Sequence, residues 1–397
     1  MSVRGKARAR AGAGAALGLA GGAVVAMAGL RHYADQQSAS RNAVVLPPPY
    51  LVDGSDRLVH DRLFVADLHA DSLLWRRDLR RRGSSGHVDL PRLREAGVTL
   101  QVFASVTQVP AGLNFERNTA THDLITLLAM AQGWPPRTWR SRLGRALYAA
   151  ERLHRIAEAE QGRLLIVKRA ADLDILLARR QEDPGVVGAL LAIEGSQALE
   201  GRLDNLDSLY DAGFRMIGLQ HFFDNDAGGS AHGVDQGGLT PFGVELVRRI
   251  EARRMVVDVA HSSPQVVTDV LDVATAPVFV SHTGLRGTCD NQRNLSDDHA
   301  RGIAATGGVI GVAMFGQAVG GATVDDTARA IRYGADLIGT EHLALGTDFD
   351  GAVTTPTDVT GLPLLTAALL RHGFTEPETG AIMGGNALRV LRRVLPA

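Results

Sequence analysis

The stretch "LFVADLHADSLLW", residues 63–75, begins as an apolar run and opens into Asp67, His69 and Asp71. Leu63-Phe64-Val65-Ala66 has the character of a buried strand. Side chains along a strand alternate faces, so i and i+2 point the same way. His69 and Asp71 are therefore expected to reach one common point just past the strand end. A metal ion gives one reason for such a pair. A salt bridge at the rim of a core gives another, and one pair alone does not choose between them.

Outward from this stretch the theme repeats. Short apolar or β-branched runs occur at 63–67, 99–106, 187–193, 215–220, 255–260, 277–281, 308–315 and 342–347. Periodic, helix-like segments such as 240–254 and 324–339 lie between most of them. Strand–helix alternation implies βα units and a parallel sheet. Eight such units close into a (β/α)8 barrel, the expected fold; a doubly wound open sheet is the alternative. Residues 107–186 form a long insertion between the second and third runs. It reads as mostly helical, over 115–132 and 138–161, with "RLLIV", 163–167, as a candidate extra strand.

The residues that finish the runs carry the chemistry. The first gives His69 and Asp71, "LLAIEG" gives Glu194, and "IGLQH" gives His221. "VVDVAH" gives His261, "VFVSH" gives His282, and "LALGTDFDG" gives Asp348 and Asp350. In a barrel all these ends share one face, where catalytic groups collect. Singly, each has a plain structural reading: a hydrogen-bonded rim histidine, a helix-terminal acid or a cap. Asp258, inside a run, reads as a partner of backbone or of a core arginine. It is the coincidence of positions that points to metal. Imidazoles and carboxylates suit Zn²⁺, and also Mn, Fe or Co. A two-metal site needs about five protein ligands, and His69, Asp71, Glu194, His261 and His282 supply them, with Glu194 as the bridge. No H-E-x-x-H helix, G-x-S-x-G elbow or Walker loop is present.

The bulk numbers limit the alternatives. The chain has 397 residues, with 45% hydrophobic and 21% charged, as in an ordinary globular protein. A net charge of −1 offers no field for nucleic acid. Cys289 is the single cysteine, so neither an intrachain disulfide nor a cysteine zinc cluster can form. Arg4, Lys6, Arg8 and Arg10 precede an uncharged Ala/Gly-rich segment, 11–30, the pattern of an export signal or an N-terminal membrane anchor. The expected organisation is a leader over 1–30, a linker over 31–55 ending past Pro47-Pro48-Pro49, and a barrel domain over 56–397. Such a leader places the protein on the exported side, periplasmic or extracellular.

Taken in order, "DLHADSLLW", "HVDLPRLREAGVTLQVFA", "LLAIEGSQAL", "GLQHFFDNDAGGS", "VVDVAHSS", "PVFVSHTG", "CDNQRNLSDD", "GTDFDG" and "GGNALRVL" resemble the membrane (renal-type) dipeptidases over about residues 60–395. These are zinc peptidases among the barrel metallohydrolases. The resemblance implies that His69 and Asp71 bind one zinc ion, His261 and His282 a second, and that Glu194 bridges them. It implies that His221 contacts the substrate carbonyl, that Arg293 of "QRN" grips the free carboxylate, and that Asp348 transfers the proton. Ala70 and Leu68 depart from the family's usual residues around the first histidine. The implied substrate is a dipeptide, in some members with a D-residue at its C-terminal side. Metal-dependent hydrolysis of N-acyl amino acids, cyclic amides or lactones is the second reading, and a non-catalytic binding protein the third. Expected partners are the small substrate, a membrane met through residues 11–30, and a second copy of the chain in a homodimer; nucleic acid is not expected.

Overall fold

A computed structural model describes residues 28–397 apart from Leu30; the expected leader lies almost wholly outside them. Nine parallel strands follow in chain order: β1 (Val65–Ala70), β2 (Val98–Val106), β3 (Leu164–Ile166), β4 (Val187–Glu194), β5 (Phe214–Gly218), β6 (Val256–Asp258), β7 (Phe279–Thr283), β8 (Val309–Val312) and β9 (Leu343–Leu345). Eight close into a (β/α)8 barrel. β2 pairs with β4 from Leu100↔Gly188 to Val106↔Glu194, and Asp67↔Leu345 joins β1 to β9. β3 is not a stave. It pairs with Val187–Ala189, whereas β5 pairs with the later residues Leu191–Ile193. "RLLIV" is thus a strand outside the repeating count.

Side-chain alternation sorts the strands into two cores. Leu100, Val102 and Ala104 of β2 join Leu190 and Ala192 of β4, with Val390 and Leu391 of the last helix. Phe103 joins Leu191 and Ile193 in the larger core shared with the surrounding helices. Each buried Leu or Ile contributes about 1.5–3 kcal/mol over its exposed state, so register is strongly fixed. Alternation also sets Glu194 on the same side of β4 as Leu190 and Ala192, at the C-terminal mouth.

The insertion differs in detail from its expected helices. The first begins only at Leu124 and runs to Gln132. Upstream, Asn114 Oδ1 accepts from the N–H groups of Glu116 and Arg117, a local competitor to the helix ladder. Asp123 then caps the helix by accepting from Ile125 N at 2.9 Å. The second helix is Arg142–Ala159, capped by Ser141. In the stretch expected as a linker, residues 31–41 are helical, and Val45 and Leu46 donate to Thr355 and Pro356 carbonyls at 2.9 Å. No helix among the described residues is long and apolar enough to cross a membrane.

Candidate metal centre and active site

Two strands that carry candidate ligands are bulged at the ligand. In β1, Asp67 to Ala70 oppose Gln101 to Phe103, three steps against two. In β7, Val280 to Thr283 oppose Ile310 to Val312 in the same way. The extra residue re-aims His69 and His282. Asp71 follows β1 at the start of a 3₁₀ turn, Ser72–Leu74. His69 and Asp71 do converge, with Nε2 and Oδ2 3.5 Å apart, by way of a bulge and a turn rather than simple alternation.

Glu194 is the hub. Its Oε1 lies 3.1 Å from His261 Nε2, 3.5 Å from His282 Nε2 and 3.6 Å from His69 Nε2. Its Oε2 lies 3.5 Å from His221 Nε2. Asp348 Oδ1 reaches to 3.9 Å from His69 Nε2, and the Nε2 atoms of His261 and His282 are 2.9 Å apart. All seven side chains are buried. Three triplets bring their ligand atoms within 4.8 Å: His69-Glu194-His282, Glu194-His221-His261 and His69-Asp71-Asp348. Of the eight candidate site residues, seven form this cluster. The eighth, Arg293, is buried beside it. Its Nη2 donates to the His282 carbonyl at 2.7 Å and its Nη1 to Thr283 Oγ1 at 3.1 Å.

The donor set fits divalent cations. His69 Nε2, Asp71 Oδ1 and Glu194 Oε2 are buried without a hydrogen-bond partner, which is costly unless something else binds them. Ligands about 2.1 Å from one tetrahedral ion sit roughly 3.4 Å from each other, close to the separations around Glu194. Nitrogen and carboxylate oxygen without thiolate suit zinc and its first-row neighbours. Electrostatics agree. Burial, then the nearby Asp71 carboxylate, pushes Glu194 well above the carboxylate range. Burial pushes Asp348 up to about 7, against the pull of His69. Burial and the Arg293 cation drive His261 far down, and burial and His69 do the same to His282. His69 is up at about 10: burial alone would lower it, but Glu194 and Asp71 outweigh that. A cation among such groups reverses the preference for neutral carboxyls.

The surroundings hold these groups in place. Asp67 accepts from Gln101 Nε2 at 2.7 Å and from Thr347 N and Oγ1 at 2.8 Å, tying β1, β2 and the loop after β9 together. Ser281 Oγ lies 2.9 Å from His282 Nδ1 and 3.5 Å from His69 Nδ1, so both rings turn Nε2 to the centre. Asp258 accepts from Ala260 N and Ser281 N, the backbone role expected for it. His261 and Asp348 both sit at φ 61°, a left-handed conformation that costs a side-chain-bearing residue about 1–3 kcal/mol. Gly346 precedes Asp348 in β9's exit, where a Cβ would lie 1.8 Å from the Ser281 carbonyl oxygen. Sequence reasoning missed His232. It is fully buried, its Nδ1 lies 2.6 Å from the Phe115 carbonyl, and its ring is 5.3 Å from that of His261. It lies well past the end of β5, where no strand tip flags it.

Comparison with known proteins gives the family. An uncharacterized dipeptidase of Schizosaccharomyces pombe is 33% identical over 215 residues, 51% of this chain and 52% of that protein. The chain thus spans about half the length of that relative. The crystal structure of the dipeptidase AC, a metallo peptidase of family M19, superimposes with a TM-score of 0.69 at 26% identity, covering 84% of this chain and 99% of the other. A metallo peptidase from Rhodobacter sphaeroides, liganded with a phosphinate mimic of the dipeptide L-Ala-D-Ala, gives 0.68 at 25% identity, with 84% and 99% covered. Residues 55–396 match the family model described as membrane dipeptidase, peptidase family M19. The chain belongs to that family and is a metallopeptidase of its kind.

Proposed function

We propose that this metallopeptidase cleaves dipeptides with two zinc ions, held as His69-Asp71 and His261-His282 pairs that share Glu194. The observation that carries the reading is Glu194 itself. One buried carboxylate faces four imidazoles, with an oxygen left unpartnered. Bound zinc ions would supply Lewis acidity and make water nucleophilic near neutral pH. His221 is the imidazole left beyond the five ligands, and a ring N–H there would steady the charge that develops on the substrate carbonyl oxygen. Asp348 is the spare carboxylate. It would take the proton of the attacking water and hand it to the leaving amine nitrogen. Arg293, buried behind His282, would pair with the free carboxylate of the C-terminal residue and so limit substrates to short peptides. The phosphinate bound by the Rhodobacter sphaeroides protein mimics a dipeptide with a D-residue, which supports including such dipeptides as substrates. The basic-then-apolar residues 1–30 support export, with the barrel on the outer side.

The test is exhaustive chelation followed by add-back, with metal counted per chain. Hydrolysis should vanish with the metal and return as two zinc ions are restored. Undiminished dipeptide hydrolysis by metal-free protein would remove the mechanism.

A further inference from the structure

Beside the polar cluster lies a second space that the proposed reaction does not use. It is a cavity of about 370 Å³, within the size range of small-molecule sites. Asp71 and His221 form part of its wall, so it opens directly onto the centre around Glu194. The rest is largely apolar: Leu74 and Trp75 after β1, Val106 at the tip of β2, Phe222, and Ile125 and Leu128 from the insertion helix. Tyr33 and Ala34 of the 31–41 helix close another side. At its lip, Leu124 and Leu127 leave apolar surface uncovered, the latter 65% exposed. Uncovered apolar surface in a concave wall next to a reaction centre is a recognition element.

Its place in the ring says which part of a substrate it meets. Going round the barrel the strands run β1, β2, β4, β5, β6, β7, β8, β9. The cavity sits at the tips of β1 and β2, while Arg293 follows β7, across the mouth. A dipeptide with its carboxylate toward Arg293 and its scissile bond at the centre therefore turns its other residue toward the cavity. We infer that this cavity receives the side chain of the amino-terminal residue and selects dipeptides in which that residue is large and apolar. The orientation rests on the dipeptidase reading and on Arg293 as the carboxylate partner. The insertion and the 31–41 helix complete a pocket whose inner wall comes from the tips of β1 and β2.

The experiment compares kcat/KM of the zinc-loaded full chain for Xaa-Ala and Ala-Xaa dipeptides, with Xaa as Gly, Ala, Leu or Phe. From Gly-Ala to Leu-Ala or Phe-Ala the value should climb at least about tenfold, the scale at which apolar pockets discriminate. The Ala-Xaa series should be shallower. Leu128→Arg, which sets a charge in the cavity, should shrink the Leu-Ala to Gly-Ala ratio toward one. Leu113→Asp, on the more exposed lip, should shrink it less and guards against a folding defect in the first variant. A flat Xaa-Ala series, a steeper Ala-Xaa series, or a ratio untouched by both variants would overturn the cavity assignment and leave the dipeptidase reading standing. Hydrolysis of no dipeptide at all would overturn both.

Discussion

Asp348 and Asp350 stand two residues apart in the loop after β9, both buried at the barrel mouth, and their surroundings are opposite. Asp350 is saturated. Its carboxylate accepts from Ser72 Oγ at 2.6 Å, from His87 N at 2.7 Å and from the Arg77 guanidinium. Its backbone carbonyl accepts from Trp75 Nε1 at 2.7 Å. Burial alone would raise its carboxyl, yet Arg77 and His87 hold it below the usual range. Asp348, with Glu194 beyond it, is pushed upward and makes no such set of bonds. A buried acid whose bonds are met is a staple; a buried acid whose bonds are unmet is waiting for a ligand or a proton.

The largest effect that tests this contrast is on the unmet side. Glu194→Ala or His261→Ala should lower kcat/KM about 10³-fold or more, the several kcal/mol that metal-assisted charge stabilisation supplies. Bound metal per chain should fall while the denaturation midpoint of the metal-free protein stays nearly unchanged. A large stability loss would mean that Glu194 is a staple as well. On the met side, Asp350→Ala should cost about 3–5 kcal/mol by chemical denaturation, because it strands the Arg77 cation. If it behaves like Glu194→Ala, the contrast collapses.

A smaller effect lies between the two regions. Ser281→Ala frees the His69 and His282 rings without removing a ligand, and should weaken zinc affinity about 10–100-fold by competition with a chelator. The smallest effect is on pH. His60 is buried, with Nδ1 2.7 Å from Thr366 Oγ1 and Nε2 2.9 Å from the Ala96 carbonyl, and burial lowers its pKa. The unfolded chain then takes up the proton first. Its contribution to stability is complete above the unfolded value, near 6.5, and is lost as pH falls toward the folded one. Tm should therefore drop below about pH 6.5, and less steeply in His60→Gln.

Much of the polar cluster was legible because each member sits at the tip of an apolar run, and a barrel gathers strand tips on one face. Glu194, His221, His261 and His282 were readable one strand at a time for that reason. His232 was not, because its position depends on a loop folding back until Phe115 of the insertion meets it. The bulges at His69 and His282 were equally hidden, since a bulge is a mismatch between two strands and no single strand records it. The late start of the insertion helix at Leu124 turned on Asn114 and Asp123 winning backbone bonds that periodicity does not weigh.

Sequence by itself determined the periodic elements, their parallel order and the identity of the groups at the mouth, because hydrophobic alternation is a local property of the chain. Only the tertiary structure decided that four imidazoles and three carboxylates meet within a few ångströms, that Asp350 is satisfied while Glu194 is not, and that an apolar cavity opens beside them. These are relations between residues up to hundreds of positions apart. They exist only once the ring of strands has closed and desolvated what it encloses.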